Sequence, residues 1–334
     1  MMSTVNVLTE DLQGFVARER PAIEVALRRA LPRSSLAGAG RLNEALDYAV
    51  FPGGKRLRPA LALAASDLAG APRRQGLAVA CAVEFLHSSS LILDDLPSMD
   101  DAGVRRGRRA LHLVYGEGLA VLASVALLNR SYALLAEAAG ACGEADAVES
   151  LVAEAARCVG PDGMVGGQAV DLETRADRTD EGALASRDLK TVALMRLMMT
   201  AGALACGAHP DETRALADFG DCFGRAYQVC DDLLDATDAG GAAAGKPAGQ
   251  DARHARATSV STFGVGGARR LAARLVEHGV ARLASQFGAR DEVRLLAEAA
   301  SSVLARAGTT CLAEGFRSRG PRRAAPARFA TEFL

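Results

Sequence analysis

The sequence predicts an all-α protein, a bundle of about ten helices. Two observations carry this reading. Apolar residues recur at spacings of three and four along most of the 334 residues, with no convincing apolar–polar alternation and no repeat of fixed period. Aromatics make up only 4% with no Trp, and the apolar share falls mostly on Ala, Leu and Val. Ala and Leu favour helix, whereas a sandwich or barrel wants more aromatic and β-branched residues. The composition, 49% hydrophobic and 24% charged, excludes intrinsic disorder and a collagen-like repeat.

Periodic stretches follow in order at 5–30, 59–70, 74–95, 117–139, 144–171, 184–206, 211–235, 265–286 and 290–314. Val83, Leu86 and Ser90 share one face of the third stretch. The punctuation between stretches is specific. Phe51-Pro52-Gly53-Gly54 breaks the chain before a basic run, and Pro97 breaks it inside an acidic one. Residues 239–249 (AGGAAAGKPAG) carry too much Gly for a stable helix. No linker divides the chain, so residues 1–316 read as one domain, with an Arg- and Pro-rich tail at 317–334 expected to be mobile.

Charge is balanced, 39 Lys plus Arg against 40 Asp plus Glu, which argues against a nucleic-acid binder with its basic excess. The seven Cys are odd in number and form no C-x-x-C pair, the pattern of small buried hydrophobes in a reducing, cytoplasmic setting. The N-terminus has acids early and no secretory signal. No uninterrupted apolar run reaches the ~18 residues of a membrane span; Val192–Ala208 comes nearest and is broken by Arg196.

Two acidic clusters end apolar helices. The first is Asp94-Asp95 with Asp100-Asp101, the second Asp231-Asp232 with Asp235 and Asp238. Carboxylates at a helix C-terminus oppose the helix dipole and repel one another, so stability alone does not explain them. Asp231 and Asp235, four apart, share a helical face. Hard oxygen ligands suit Mg²⁺, which takes one or two carboxylates together with substrate phosphates. Basic groups are interleaved with the acids. Lys55, Arg56 and Arg58 follow Gly53-Gly54, a setting where backbone N–H groups and Arg forks meet anions. Arg105-Arg106-Gly107 follows the first acids, and Lys246 and Arg256 follow the second. Lys190-Thr191 is expected near a helix start, where free N–H groups also favour an anion. His87 lies two turns before Asp94 on the same face, placed for a polar contact to a bound diphosphate; the remaining His show no zinc spacing. Together these groups point to two phosphate-bearing substrates. Residues 240–246 match the spacing of a nucleotide P-loop, but Pro247 stands where the metal-binding hydroxyl belongs.

These motifs resemble those of the trans-isoprenyl diphosphate synthases, the polyprenyl synthetase family of geranylgeranyl and farnesyl diphosphate synthase type. GGKRLRP (53–59), HSSSLILDDLPSMDDAGVRRG (87–107), GMVGGQAVDL (163–172), Lys190-Thr191, YQVCDDLLD (227–235) and GKPAGQD (245–251) look like its elements, in its order. The resemblance implies an all-α fold around a deep central cavity, usually a homodimer, and Mg²⁺-dependent joining of isopentenyl diphosphate to an allylic diphosphate (dimethylallyl, geranyl or farnesyl). By matching positions it implies Asp94, Asp95, Asp100, Asp231 and Asp235 as metal ligands. It likewise implies Arg105, Lys190, Thr191, Gln228 and Lys246, with Arg256 nearby, for the allylic diphosphate. Gly54, Lys55, Arg58, His87 and Arg106 would hold isopentenyl diphosphate. Asp94, Asp95, Asp100, Asp231 and Asp232, with Lys190, form the expected catalytic set.

Ser89 and Ser90, five and four residues before Asp94, stand where short-chain relatives often carry an aromatic, and Phe85 one turn deeper is the expected pocket floor. That reading favours a C20 product, geranylgeranyl diphosphate, over farnesyl or C25 and longer ones. The chain also departs from the pattern. Leu93 replaces a His, Ser124-Val125 a Gly-Asp, and Arg187 and Val192 a His and a Gly; Arg108–His112 lacks a Pro-Thr, and Arg256 stands for Lys. The competing readings are a terpene cyclase or noncanonical coupling enzyme on the same fold, and a regulatory subunit without activity. The second acidic motif, all Asp, and the GGKR element favour a site for isopentenyl diphosphate over a cyclase; retention of both acidic motifs weighs against an inactive subunit.

Overall fold

The computed structural model describes residues 10–51, 54–143, 145–173, 181–236 and 258–309. Within them the chain forms twelve helical segments and one two-stranded hairpin. The first helices are α1 (Leu12–Ala30), α2 (Gly40–Val50), α3 (Leu57–Leu68) and α4 (Arg73–Asp94). The hairpin β1 (Val104–Arg105) and β2 (Arg108–Arg109) follows, then α5 (Leu111–Tyr115), α6 (Glu117–Gly140), α7 (Ala145–Val159) and α8 (Met164–Glu173). The chain continues with α9 (Glu181–Ala205), α10 (Pro210–Ala236), α11 (Ser259–Phe287) and α12 (Asp291–Arg306).

Helices α3, α4 and α9 are apolar nearly all round and form the interior, as a helix without a polar face must. On α4 every residue from Val79 to Ser89 is buried. α4 packs on α3 and α6, α9 on α3, α7, α8 and α10, and α10 on α11. Small residues permit close approach where α9 meets α10. A Cβ on Gly224 would lie 2.7 Å from the Cα of Val192, and one on Gly220 would lie 2.8 Å from the Cα of Arg196. Arg196 itself, the charge inside the apolar run of α9, is paired with Glu154 at 2.9 Å and Asp221 at 2.6 Å.

Five expectations change. The single helix expected over 144–171 is two, because Gly160-Pro161-Asp162-Gly163 turns the chain between α7 and α8. Helix α2 carries a short apolar stripe, Leu42, Ala45, Leu46 and Val50, and was not foreseen. The hairpin is two residues per strand, too short to show alternation; its turn, Arg106-Gly107, has positive φ at both positions. Helix α11 starts at Ser259 under a Thr258–Ser261 capping box and is broken at Gly264, whose φ is 66°. Finally, α4 and α6 are long and apolar enough to cross a membrane by length and composition, although no uninterrupted apolar run is; α4 is a mostly buried core helix, and α6 is covered over less than half of its apolar window. The tail 317–334 lies outside the described residues.

Candidate active site

The first acidic cluster caps the C-terminal end of α4. The loop after it folds back on the helix carbonyls: the N–H of Asp100 donates to Asp94 O at 2.9 Å, and the N–H of Ala102 to Asp95 O at 3.2 Å. Both leading carboxylates are buried, Asp94 at 6% and Asp95 at 3% exposure, and each has a cation. Lys190 Nζ lies 2.8 Å from Asp94 Oδ1, and Arg105 donates to Asp95 Oδ1 from Nε at 2.9 Å and Nη2 at 2.5 Å. Burial pushes the Asp94 carboxyl above its ordinary range, against the pull of Lys190. The repulsion inferred from the sequence is thus met by basic groups from other elements.

Lys190 does not sit near a helix start. Helix α9 begins at Glu181, so Lys190 and Thr191 lie in its middle, where the backbone N–H groups are already used. What brings them to the site is the helix face. Lys190 reaches α4, while Thr191 Oγ1 donates to Gln228 Oε1 on α10 at 3.3 Å. Gln228 Nε2 then donates to Asp232 Oδ1 at 3.3 Å. One dipeptide therefore joins the two acidic helix ends. Gly167 of α8 lets this face approach, since a Cβ there would lie 2.4 Å from the backbone nitrogen of Lys190. Beside it, Gln168 Nε2 donates to Met99 Sδ at 3.3 Å, and its buried Oε1 has no hydrogen-bond partner among the described residues.

In the second cluster, Asp231 and Asp235 are half-buried and Asp232 is buried at 2% exposure. Asp232 turns one oxygen away from the cluster: Oδ2 accepts the N–H of Ser259 at 2.7 Å and so caps the start of α11. Tyr227, one turn before Asp231, is closed off from water. Burial and Asp231 push its phenol up, while Arg58 and Arg306 pull it down, so it stands within electrostatic reach of both acidic and basic groups.

The basic groups gather beside α4. Gly54 and Lys55 lie on the turn into α3. Arg58, on the first turn of α3, places Nη1 3.2 Å from His87 Nε2. Burial, then Arg58, Arg106, Arg105 and Lys190, hold the His87 pKa well below its ordinary range, so the ring is neutral. Arginine only donates, so His87 Nε2 accepts and the ring proton sits on Nδ1. Ser88, Asp95, Arg105, Arg106 and Arg108 line a cleft open to solvent, and the buried Ser88 Oγ has no hydrogen-bond partner among the described residues.

Phe85 is fully buried. Ser89 is tied to α6, its Oγ 2.9 Å from Ser124 Oγ, and Ser90 Oγ donates to His87 O at 2.9 Å. Lys246, Arg256 and Asp238 fall outside the described residues. Sequence reasoning passed over Glu84, Ser88, Gln168 and Tyr227. Polar residues set inside otherwise apolar stretches were the available signal for all four. Among the described residues no three acidic, histidine or cysteine side chains converge into a metal cage of their own.

The family model described as polyprenyl synthetase matches residues 39–280. A farnesyl diphosphate synthase of Geobacillus stearothermophilus is 37% identical over 77% of this chain and 86% of its own length. Geranylgeranyl pyrophosphate synthase 9, chloroplastic, of Arabidopsis thaliana is 35% identical over 79% of this chain and 74% of its own. Among solved structures, a FPP/GFPP synthase from Zymomonas mobilis in its apo form superposes with a TM-score of 0.75 at 31% identity, covering 88% of this chain and 98% of that one.

Proposed function

This chain belongs to the polyprenyl synthetase family, and on that premise we propose that it is a Mg²⁺-dependent prenyltransferase that joins isopentenyl diphosphate head-to-tail to an allylic diphosphate, giving chiefly geranylgeranyl diphosphate. The observation that carries the reading is the bridge through Lys190 and Thr191, which puts both acidic helix ends and one ammonium at a single place. Departure of an allylic diphosphate leaves negative charge on oxygen, and cations fixed in advance are what lowers that barrier.

The donor set suits Mg²⁺. All the acidic ligands are hard carboxylate oxygens, Gln168 offers a buried oxygen without a partner among the described residues, and no three-ligand cage is needed by an ion that completes its shell with water and substrate phosphate. Asp94, Asp95 and Asp100 would hold it from one side and Asp231 and Asp235 from the other; when bound it neutralises the departing diphosphate. Arg105, Lys190, Thr191 and Gln228, with Lys246, orient the allylic diphosphate. Gly54, Lys55, Arg58, His87 and Arg106 hold isopentenyl diphosphate, with neutral His87 steadying the Arg58 fork. Asp232 supports the set by fixing Gln228 and α11. The departing diphosphate takes the proton, so no dedicated protein base is required. Serines at 89 and 90 leave room for the growing chain above Phe85.

The enzyme is proposed to act in the cytoplasm as a homodimer. Val121, Leu122 and Val125 of α6 are 39%, 55% and 54% exposed and share a face, which a second copy would cover.

Purified protein incubated with Mg²⁺, isopentenyl diphosphate and farnesyl diphosphate should yield a C20 diphosphate by mass spectrometry. Failure to consume isopentenyl diphosphate would overturn the reading, and a hydrocarbon from the allylic diphosphate alone would make the chain a cyclase. Asp94→Ala with Asp231→Ala should lower turnover by about a thousandfold or more.

A further inference from the structure

Three non-glycine residues in the described chain have left-handed backbone: Arg56 at φ 60°, Asp101 at φ 46° and Arg106 at φ 52°. Such a conformation is costly for a side chain with a Cβ and persists where surrounding contacts impose it. Arg56 lies on the turn before α3 and Arg106 at the tip of the hairpin, fifty residues apart in sequence. Both end on the same carboxylate. Glu84 Oε1 lies 2.5 Å from Arg56 Nη1 and 3.7 Å from Arg106 Nη2.

Arg56 is not placed to meet a substrate. Its side chain is fully buried, with Nε on Glu24 Oε1 at 2.8 Å and Nη2 on Val50 O at 2.8 Å. Burial opposes its charge, but Glu84 and Glu24 more than offset this and hold the guanidinium above its ordinary range. Arg56 therefore straps its turn to α1 and α4. Arg106 keeps 23% of its side chain exposed and shares Glu84 loosely, so it remains available to an anion. Glu84 is itself buried and lies one helical turn before His87, which contacts Arg58. Arg58 and Arg106 stand within electrostatic reach of each other and of His87, Lys55 adjoins the strapped Arg56, and Glu84 is the carboxylate that both turns have in common.

We propose that Glu84 is a positioning residue for isopentenyl diphosphate: by fixing the Arg56 turn directly and holding Arg106 at longer range, it sets Lys55, Arg58 and Arg106 around one diphosphate. The proposal rests on the assignment of those residues to that substrate. Glu84→Gln keeps the shape and removes the charge. It should raise KM for isopentenyl diphosphate about tenfold or more, with kcat and KM for the allylic diphosphate changed by less than about threefold. Glu84→Asp should recover part of the loss. Hydrogen exchange adds a readout that needs no substrate: amides of 54–57 and 104–109 should exchange faster in Glu84→Gln, while those of α10 stay as they are. A uniform loss in both KM values and kcat, tracking a lower melting temperature, would reduce Glu84 to a structural ion-pair partner and overturn the proposal. If the wild-type protein does not consume isopentenyl diphosphate, the functional reading fails, and the exchange experiment alone decides: unchanged exchange in both turns rejects Glu84 as their anchor. Should Glu84→Gln not fold, Glu84→Asp carries both measurements, with smaller shifts in the same direction.

Discussion

The ring of His87 is sealed from water beside four cations, and its proton inventory follows from that. Unfolded, the residue titrates at about pH 6.5. Folded, it stays neutral well below that. Between the two values the unfolded chain binds a proton that the folded one does not, so stability falls on acidification. His87→Gln should therefore remove about 1 kcal/mol of the stability lost between pH 6.5 and 5.5, seen as converging urea midpoints for mutant and wild type. Parallel midpoints across that range would show that His87 is protonated in the fold. The sequence placed His87 on the face of Asp94; that its nitrogen is spent on Arg58 is a fact of packing. Phe85 is the second residue whose burial has consequences. Phe85→Ala should cost about 3–5 kcal/mol in stability and lengthen the product in the mass assay, whereas an unchanged product would remove Phe85 as the floor.

Among the elements, the seam between α9 and α10 matters most to the site, because Thr191 meets Gln228 across it. Opposite the Cα of Val192 stands Gly224, with no room for a Cβ. Gly224→Ala should force the helices apart at a cost of about 1–3 kcal/mol and lower activity with it. Gly118→Ala, on α6 with open space around its Cα, is the control and should leave the melting temperature nearly unchanged. Equal melting temperatures for the two variants would mean that the seam accommodates a Cβ at Gly224. The periodicity of both helices was legible in the sequence, but their contact was not: Lys190 and Thr191 suggested a helix start, whereas the fold uses them from mid-helix.

For the whole molecule, the clearest unfinished surface is α6. Leu122→Glu on its exposed apolar stripe should shift the sedimentation profile from dimer to monomer while leaving helix content unchanged by circular dichroism. A wild-type protein already monomeric at micromolar concentration would instead leave that stripe unexplained by self-association. The stripe was hidden in the sequence because α4 and α6 are both apolar; only packing distinguishes a mostly covered helix from one covered over less than half of its apolar window.

By itself the sequence determined the helical class, the two acidic helix ends and the basic turns, because these depend on local spacing and on residue chemistry. It also carried the order of motifs that points to the polyprenyl synthetases. Tertiary structure alone decided the pairings: Lys190 with Asp94, Thr191 with Gln228, Arg58 with His87, and Glu84 with both Arg56 and Arg106. Each joins residues distant in the chain. Such contacts are fixed by how helices stack and which small residues let them approach, and no local spacing records that.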